Sequence, residues 1–328
     1  MRVPIRRAWL GAALLPVLLV LVPPFASAIR YPYLVTVINQ ALIYAIAAMA
    51  LDFIMGYGRL VSFGHAAFFG LGAYTVGILS TQFQQGAPFI LGWMGTNEAF
   101  VAWPLAMAVS AAFALVVGVI SLRTTGLFFI MITLAFGQMA YFFFISLSAY
   151  GGDNGLTLSL PNTIAGSQVL SSGVPFYYVC FVLLLATWWL LRRFVNSRFG
   201  RVLQGSRQNE RRMRALGFRT FPYKLVAFTI SGAIAGLAGA LIANQSGFVS
   251  PAIMHWQQSA EFLVMVLLGG LSSLVGPIYG AIALVLLDQV LVAVTPHWEI
   301  ILGPILVLVV LFFRGGIYGA LSGKGDRA

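Results

Sequence analysis

PYKLVAFTISGAIAGLAGALIANQ, residues 222–245, carries one charge at Lys224 and then runs uncharged from Leu225 to Gln245. About 20 consecutive apolar residues, at 1.5 Å per residue, cross the ~30 Å hydrocarbon core of a bilayer. Small residues recur on two adjacent rows of that helix: Ser231, Ala235 and Gly239 on one, Gly232, Gly236 and Ala240 on the other. Helices in lipid gain little from hydrophobic exclusion and depend on close backbone approach. Both rows therefore predict packing against neighbouring helices, in preference to ligand contact.

The rest of the chain repeats the pattern. Of 328 residues, 60% are hydrophobic and 8% charged, with a mean hydropathy of +0.94, against roughly 25% charged for a soluble domain. Long apolar runs predict spans near 9–28, 33–55, 60–80, 101–121, 126–148, 174–194, 222–245, 260–271, 277–294 and 299–313. The expectation is an all-α polytopic membrane protein of about ten transmembrane helices, with 1–328 forming a single transmembrane domain. A separate soluble catalytic domain has no room. The eighth run is short, and a re-entrant pair at 260–294 would keep the same parity.

Charge placement supports the count. If Arg2, Arg6 and Arg7 start in the cytoplasm, then Arg59, Arg123, the run from Arg192 to Lys224, and Arg314, Lys324 and Arg327 all fall on that side, leaving only Arg30 outside. Both termini are then cytoplasmic. The net charge of +11 follows from topology and calls for no nucleic acid. Cys180 is a lone thiol, and His65, His255 and His297 lack metal-ligand spacing. Residues 1–28 read as an uncleaved first span; the alternative is a signal peptide ending at Ala26-Ser27-Ala28 after helix-breaking Pro23 and Pro24.

Two segments stand out as functional candidates. The largest cytoplasmic connection, NSRFGRVLQGSRQNERRMRALGFRT at 196–220, holds one acid, Glu210, among many arginines. It predicts a short helix from Ser206 as N-cap to Leu216, stopped by Gly217, suited to docking a partner. Glu210 and its arginines would set electrostatic register, and Met213 and Leu216 would supply buried contact. The second candidate is Leu60–Tyr74, punctuated by glycines, where a broken helix would line a cavity. Ser62, Gly64, His65, Phe68 and Tyr74 are its candidate translocation-path residues, although the favoured reading is that the glycines permit close packing and His65 is a satisfied interior residue. Among the intramembrane acids, Asp52 is expected to pair near Arg59, and Glu261 to follow an N-cap at Ser259. Asp288, the deepest acid, is expected to be hydrogen-bonded or to pack between helices, and is the one residue that keeps ion coupling in play. Residues 151–155, GGDNG, predict an external turn.

Four blocks carry a family resemblance: LVSFGHAAFFGLGAYTVGIL at 60–79, LRTTGLFFIMITLAFGQMAYFF at 122–143, SRFGRVLQGSRQNERRMRALGF with YKLVAFTISGAIAGLAGAL at 197–241, and FVSPAIMHWQQSAEFLVMVLLGGLSSLVGPIYGAI at 248–282. With them the chain resembles the branched-chain amino acid ABC importer permeases, specifically the Liv-type M subunits. The resemblance implies a type II ABC importer architecture in the bacterial inner membrane. It also implies a second homologous permease subunit, two cytoplasmic ATP-binding cassettes carrying ATP and Mg, a periplasmic amino-acid-binding protein, and alternating access. It places the coupling helix in 196–220, so Arg207, Asn209, Glu210, Arg211, Met213, Leu216 and Gly217 are the candidate ATPase-coupling residues. Related permeases serve urea or amides.

The residues agree with that division of labour. No GxxxxGK[ST] phosphate loop occurs, so the chain is expected to be a transporter subunit without enzymatic activity or a cofactor of its own. The competing class is a proton-coupled secondary transporter of amino acids working through Asp288 or Glu261.

Overall fold

The computed structural model describes residues 5–29, 31–85, 95–158, 161–168, 170, 173–294, 297, 300–301, 303–304 and 316–322. The protein is a helical bundle in which seven described helices are long and apolar enough to cross a membrane. In chain order the helices are α1 (Ile5–Ala28), α2 (Tyr33–Gly58), α3 (His65–Gln85), α4 (Ala99–Ser121), α5 (Leu127–Ser146) and α6 (Gly173–Asn196). They continue with α7 (Arg198–Gln208), α8 (Glu210–Ala215), α9 (Thr220–Ser246), α10 (Trp256–Gly269), α11 (Gly276–Val294) and α12 (Gly316–Ser322).

Helices α2, α3 and α9 form the centre, and α4 and α5 lie outside them with most of their surface uncovered. The two rows of small residues on α9 explain that arrangement. A methyl group at Gly239 would overlap the Phe69 carbonyl of α3, and one at Gly232 would overlap Ala114 of α4. Gly72 of α3 packs in turn on the backbone at Gly236, which also faces Ser110 of α4. Each row thus seats a neighbour, and the packing reading of these glycines is the correct one.

One expected span changes. The run at 60–80 becomes helical only at His65, because 59–64 is a non-helical connection. The eighth span is α10, as short as its run suggested: 14 residues measuring about 21 Å, less than the ~30 Å hydrocarbon core, preceded by a short strand and a 3-10 turn at 248–254. The run at 299–313 lies largely outside the described residues. Pro23 and Pro24 do not break α1. That helix lies against α6, where the Tyr177 hydroxyl donates to the Leu19 carbonyl at 2.7 Å and so meets a carbonyl that a proline downstream would free.

At the end opposite the arginines, β1 (Leu156–Thr157) pairs antiparallel with β2 (Phe248–Val249), with Leu156 opposite Val249. Asn244 of α9 exchanges bonds with Asn162 at 2.7 and 2.8 Å, and Asn162 bonds the Asn97 carbonyl at 3.1 Å. Glu98 accepts from the backbone N–H groups of Ala165 and Gly166. These amides tie the connections before α4 and α6 to the central helix. The Gly151–Gly155 segment reverses the chain through two 3-10 turns, with positive φ at Gly151, Gly152 and Gly155.

Candidate functional site

The arginine-rich segment is two helices. The first, α7, starts at Ser197, whose side chain accepts from the Gly200 N–H. It ends at Asn209, where the backbone turns extended (φ −156°, ψ 102°) and the side chain accepts from the Arg212 N–H at 3.0 Å, opening α8. Ser206, expected as the N-cap, is instead buried inside α7 and donates to the Leu203 carbonyl at 2.7 Å. Asparagine competes with the helix for backbone bonds more strongly here than serine, which is why the break falls three residues later. The stop falls where expected. Gly217 has φ 87°, the Phe218 N–H donates to the Met213 carbonyl at 3.1 Å and the Gly217 N–H to Arg214 at 2.9 Å, the bonding of a Schellman terminus.

Glu210 faces its own chain. Its Oε2 lies 2.7 Å from Lys224 Nζ, and its Oε1 accepts from Thr220 Oγ1 and Arg214, each at 2.8 Å. Partial burial pushes its carboxyl pKa up, but the bonds from Lys224, Thr220 and Arg214, with the Lys224 charge, outweigh burial and hold it at about 2. Met213 also packs inward, against Gly205 of α7. Leu216 is 66% exposed, and Arg211 is exposed as well. Of the seven predicted coupling residues, Glu210 and Met213 thus hold the hairpin shut, Asn209 and Gly217 shape it, and Arg211 and Leu216 stay exposed.

Arg207 has a different task. Its guanidinium donates to the Gly56 carbonyl at the end of α2 and to Ser272 Oγ at 2.8 Å. Ser272 sits in the connection between α10 and α11, where Ser272 and Leu274 both have positive φ. Asp52, fully buried in α2, holds that connection: Oδ1 accepts from the Ser272 N–H at 2.8 Å and Oδ2 from the Leu274 N–H at 3.2 Å. Tyr57 adds a bond to the Ser272 carbonyl at 2.7 Å. Asp52 therefore pairs with backbone amides, not near Arg59 as the sequence suggested. The same contacts put the α10–α11 connection at the arginine-bearing end of the bundle. Between the end of α2, the turn before α5 and the α7–α8 hairpin lies a cavity of about 460 Å³ lined by Arg59, Thr125, Arg207, Glu210 and Lys224, among others.

The candidate path residues are buried within the chain. Phe63 N–H donates to Thr133 Oγ1 of α5 at 3.2 Å, and Ala66 N–H to Ser259 Oγ of α10 at 2.9 Å. Ser259 therefore caps α3, whereas α10 starts after His255; this corrects its expected role. Ser231 Oγ donates to the Ala50 carbonyl and accepts from His65 Nε2 at 2.8 Å, so the ring proton sits on Nε2. Ala50 is eight residues from the end of α2 at Gly58, about 12 Å, so α3 begins deep in the bundle. Phe68 and Phe228 meet the His65 ring edge-on. Ser62, Gly64, His65 and Phe68 are thus brought together, while Tyr74 lies further along α3 against Phe144, centroids 4.2 Å apart. Glu261 accepts from Gln258 at 2.8 Å. Asp288 is half-buried on α11.

Sequence reasoning missed Arg207, Ser272 and Asp52 as a unit. The available signal was the pairing of a buried acid with a short Gly-Leu-Ser-Ser connection whose amides needed acceptors.

A family model described as branched-chain amino acid transport system / permease component matches residues 33–311. The high-affinity branched-chain amino acid transport system permease protein LivM of Salmonella typhimurium is 28% identical over 318 residues, 88% of this chain and 72% of the relative. LivM of Escherichia coli is 27% identical, covering 91% and 74%. The autoinducer 2 import system permease protein LsrC of Yersinia pseudotuberculosis is 31% identical over 221 residues, 63% of this chain and 62% of that protein. No solved structure gave a match. An apolar helical bundle, a latched arginine-rich hairpin at one end and a family match over most of the length agree: this chain is a membrane permease of the branched-chain amino acid transport system permease family.

Proposed function

We propose that the chain is the transmembrane gate of an ATP-driven importer that carries branched-chain amino acids inward across the bacterial inner membrane, with its arginine-bearing end in the cytoplasm. The observation that carries this reading is the α7–α8 hairpin. Glu210 and Met213 fasten it to its own chain, while Leu216 and Arg211 project from it. A projecting apolar residue together with a charge on a braced helix is the form a docking surface takes. A cytoplasmic ATP-binding cassette seated there would push on α9 through Glu210–Lys224, and on α2 and the α10–α11 connection through Arg207. ATP and Mg would reside on that partner. A second permease subunit and a periplasmic binding protein complete the type II importer arrangement. Leucine, isoleucine and valine suit a largely apolar route because a soluble receptor would set specificity.

The LsrC relatives, named for autoinducer 2 import, supply a second substrate class. Reconstitution into proteoliposomes with the co-purified cassettes and binding protein tests both. ATP-dependent leucine uptake is expected. Uptake by this chain alone, driven by a pH gradient and indifferent to nucleotide, would instead establish the proton-coupled class.

A further inference from the structure

The inner end of α6 reads Trp188-Trp189-Leu190-Leu191-Arg192-Arg193, and its geometry pairs each arginine with the tryptophan one turn earlier. Arg192 lies over the Trp188 ring at 5.0 Å and Arg193 over the Trp189 ring at 5.6 Å. Trp188 turns toward α1, whereas Trp189 is 57% exposed. Above it an uncovered apolar stripe of Tyr178 and Val182 climbs the same helix. Below it Trp189, Arg192, Arg193, Asn196 and Ser197 line an open recess of about 530 Å³. Arg198 and Arg201 of α7 are exposed close by. No Asp or Glu occurs anywhere between residues 154 and 209, and Glu210 is already engaged by Lys224, Thr220 and Arg214.

We propose that this recess binds the headgroup of an anionic phospholipid, its phosphate between Arg193 and Asn196 and its acyl chains along Trp189, Val182 and Tyr178. Stacking on tryptophan holds the guanidinium planes at the level where headgroups lie, and a guanidinium fork matches phosphate oxygens. The surplus of cations sets the preference. A zwitterionic lipid would bring its ammonium into a local surplus of cations at Arg193, Arg198 and Arg201, whereas phosphatidylglycerol brings none. The site depends only on the chain's place in a membrane, so it stands apart from the identity of the transported solute.

Native mass spectrometry of the full-length chain, mixed with equal amounts of dioleoyl phosphatidylglycerol and dioleoyl phosphatidylcholine, tests the site. Selective retention of phosphatidylglycerol is expected. Arg193→Gln should lower it about fivefold, the effect of removing one interfacial charge, and Trp189→Leu should lower it with Arg193 intact. Arg123→Gln, at another exposed arginine of the same end, should leave it unchanged. Equal retention of the two lipids, an equal loss in Arg123→Gln, or displacement by millimolar inorganic phosphate would overturn the proposal, the last by revealing a soluble-anion site.

Discussion

Glu210 Oε2 and Lys224 Nζ stand 2.7 Å apart, 14 residues distant in sequence, and join the arginine-rich hairpin to the first turn of the central helix α9. Removing the charge with Glu210→Gln weakens the Lys224 and Arg214 bonds together. The expected cost in stability is only about 1 kcal/mol, because Glu210 remains partly solvated. Uptake in the reconstituted importer should nevertheless fall about tenfold while cassette ATP hydrolysis continues, since a loosened hairpin absorbs motion it should transmit. A variant with uptake and hydrolysis still in their original ratio would refute the latch.

The same carboxylate predicts a pH window. Its folded pKa of about 2 lies below the ordinary 4.5, so its stabilising contribution is complete above about 4.5 and is lost as pH falls toward 2. Hydrogen-exchange protection factors across 210–216, corrected for the intrinsic rate at each pH, should fall over that interval in the native chain. They should show no such step in Glu210→Gln.

Leu216 offers the converse test. At 66% exposure it packs little within its own chain, so Leu216→Ser should shift thermal stability by no more than about 0.5 kcal/mol. If the cassette buries it, co-purified cassette should fall about tenfold, the effect of losing ~1.4 kcal/mol at an apolar anchor. Undiminished co-purification would move the docking surface elsewhere.

At Gly239 the Phe69 carbonyl occupies the space a side chain would need. Gly239→Val should therefore cost about 3 kcal/mol or prevent folding, read as loss of the monodisperse chain in detergent. At Gly126 φ is +65° but the surroundings are open, and Gly126→Ala should cost about 1 kcal/mol of backbone strain. Equal behaviour of the two would contradict the close α3–α9 contact.

Asp52→Asn turns one accepting oxygen into a donor facing the amide of Ser272 or Leu274. The expected cost is about 1–3 kcal/mol for an orphaned buried group. A cysteine introduced at Ser273 should become more reactive toward maleimide in this variant, because the α10–α11 connection loses its anchor.

The all-helical membrane class and the packing role of glycine were legible in the sequence because each rests on local composition. The rows on α9 needed only the helical period, and Gly217 only its place after the last apolar residue. What stayed hidden depended on partners remote in sequence. Nothing near Ser259 signals that its hydroxyl serves Ala66, 193 residues away, and nothing near Asp52 signals Ser272. The isolation of Glu210 among arginines suggested a partner outside the chain, whereas Lys224 and Thr220 were within reach once α8 folded back. The break at Asn209 was missed because Ser206 and Asn209 are both acceptable caps, and only the burial of Ser206 separates them.

The 59–64 connection has no regular bonding ladder of its own. Thr133 grips one side of it from α5 and Ser259 receives the start of α3 from α10. Parting either α5 or α10 from the start of α3 would strip the acceptor from an interior amide. If the chain gates transport as proposed, those three helices would travel as one body, and the seams that slip would lie beyond them.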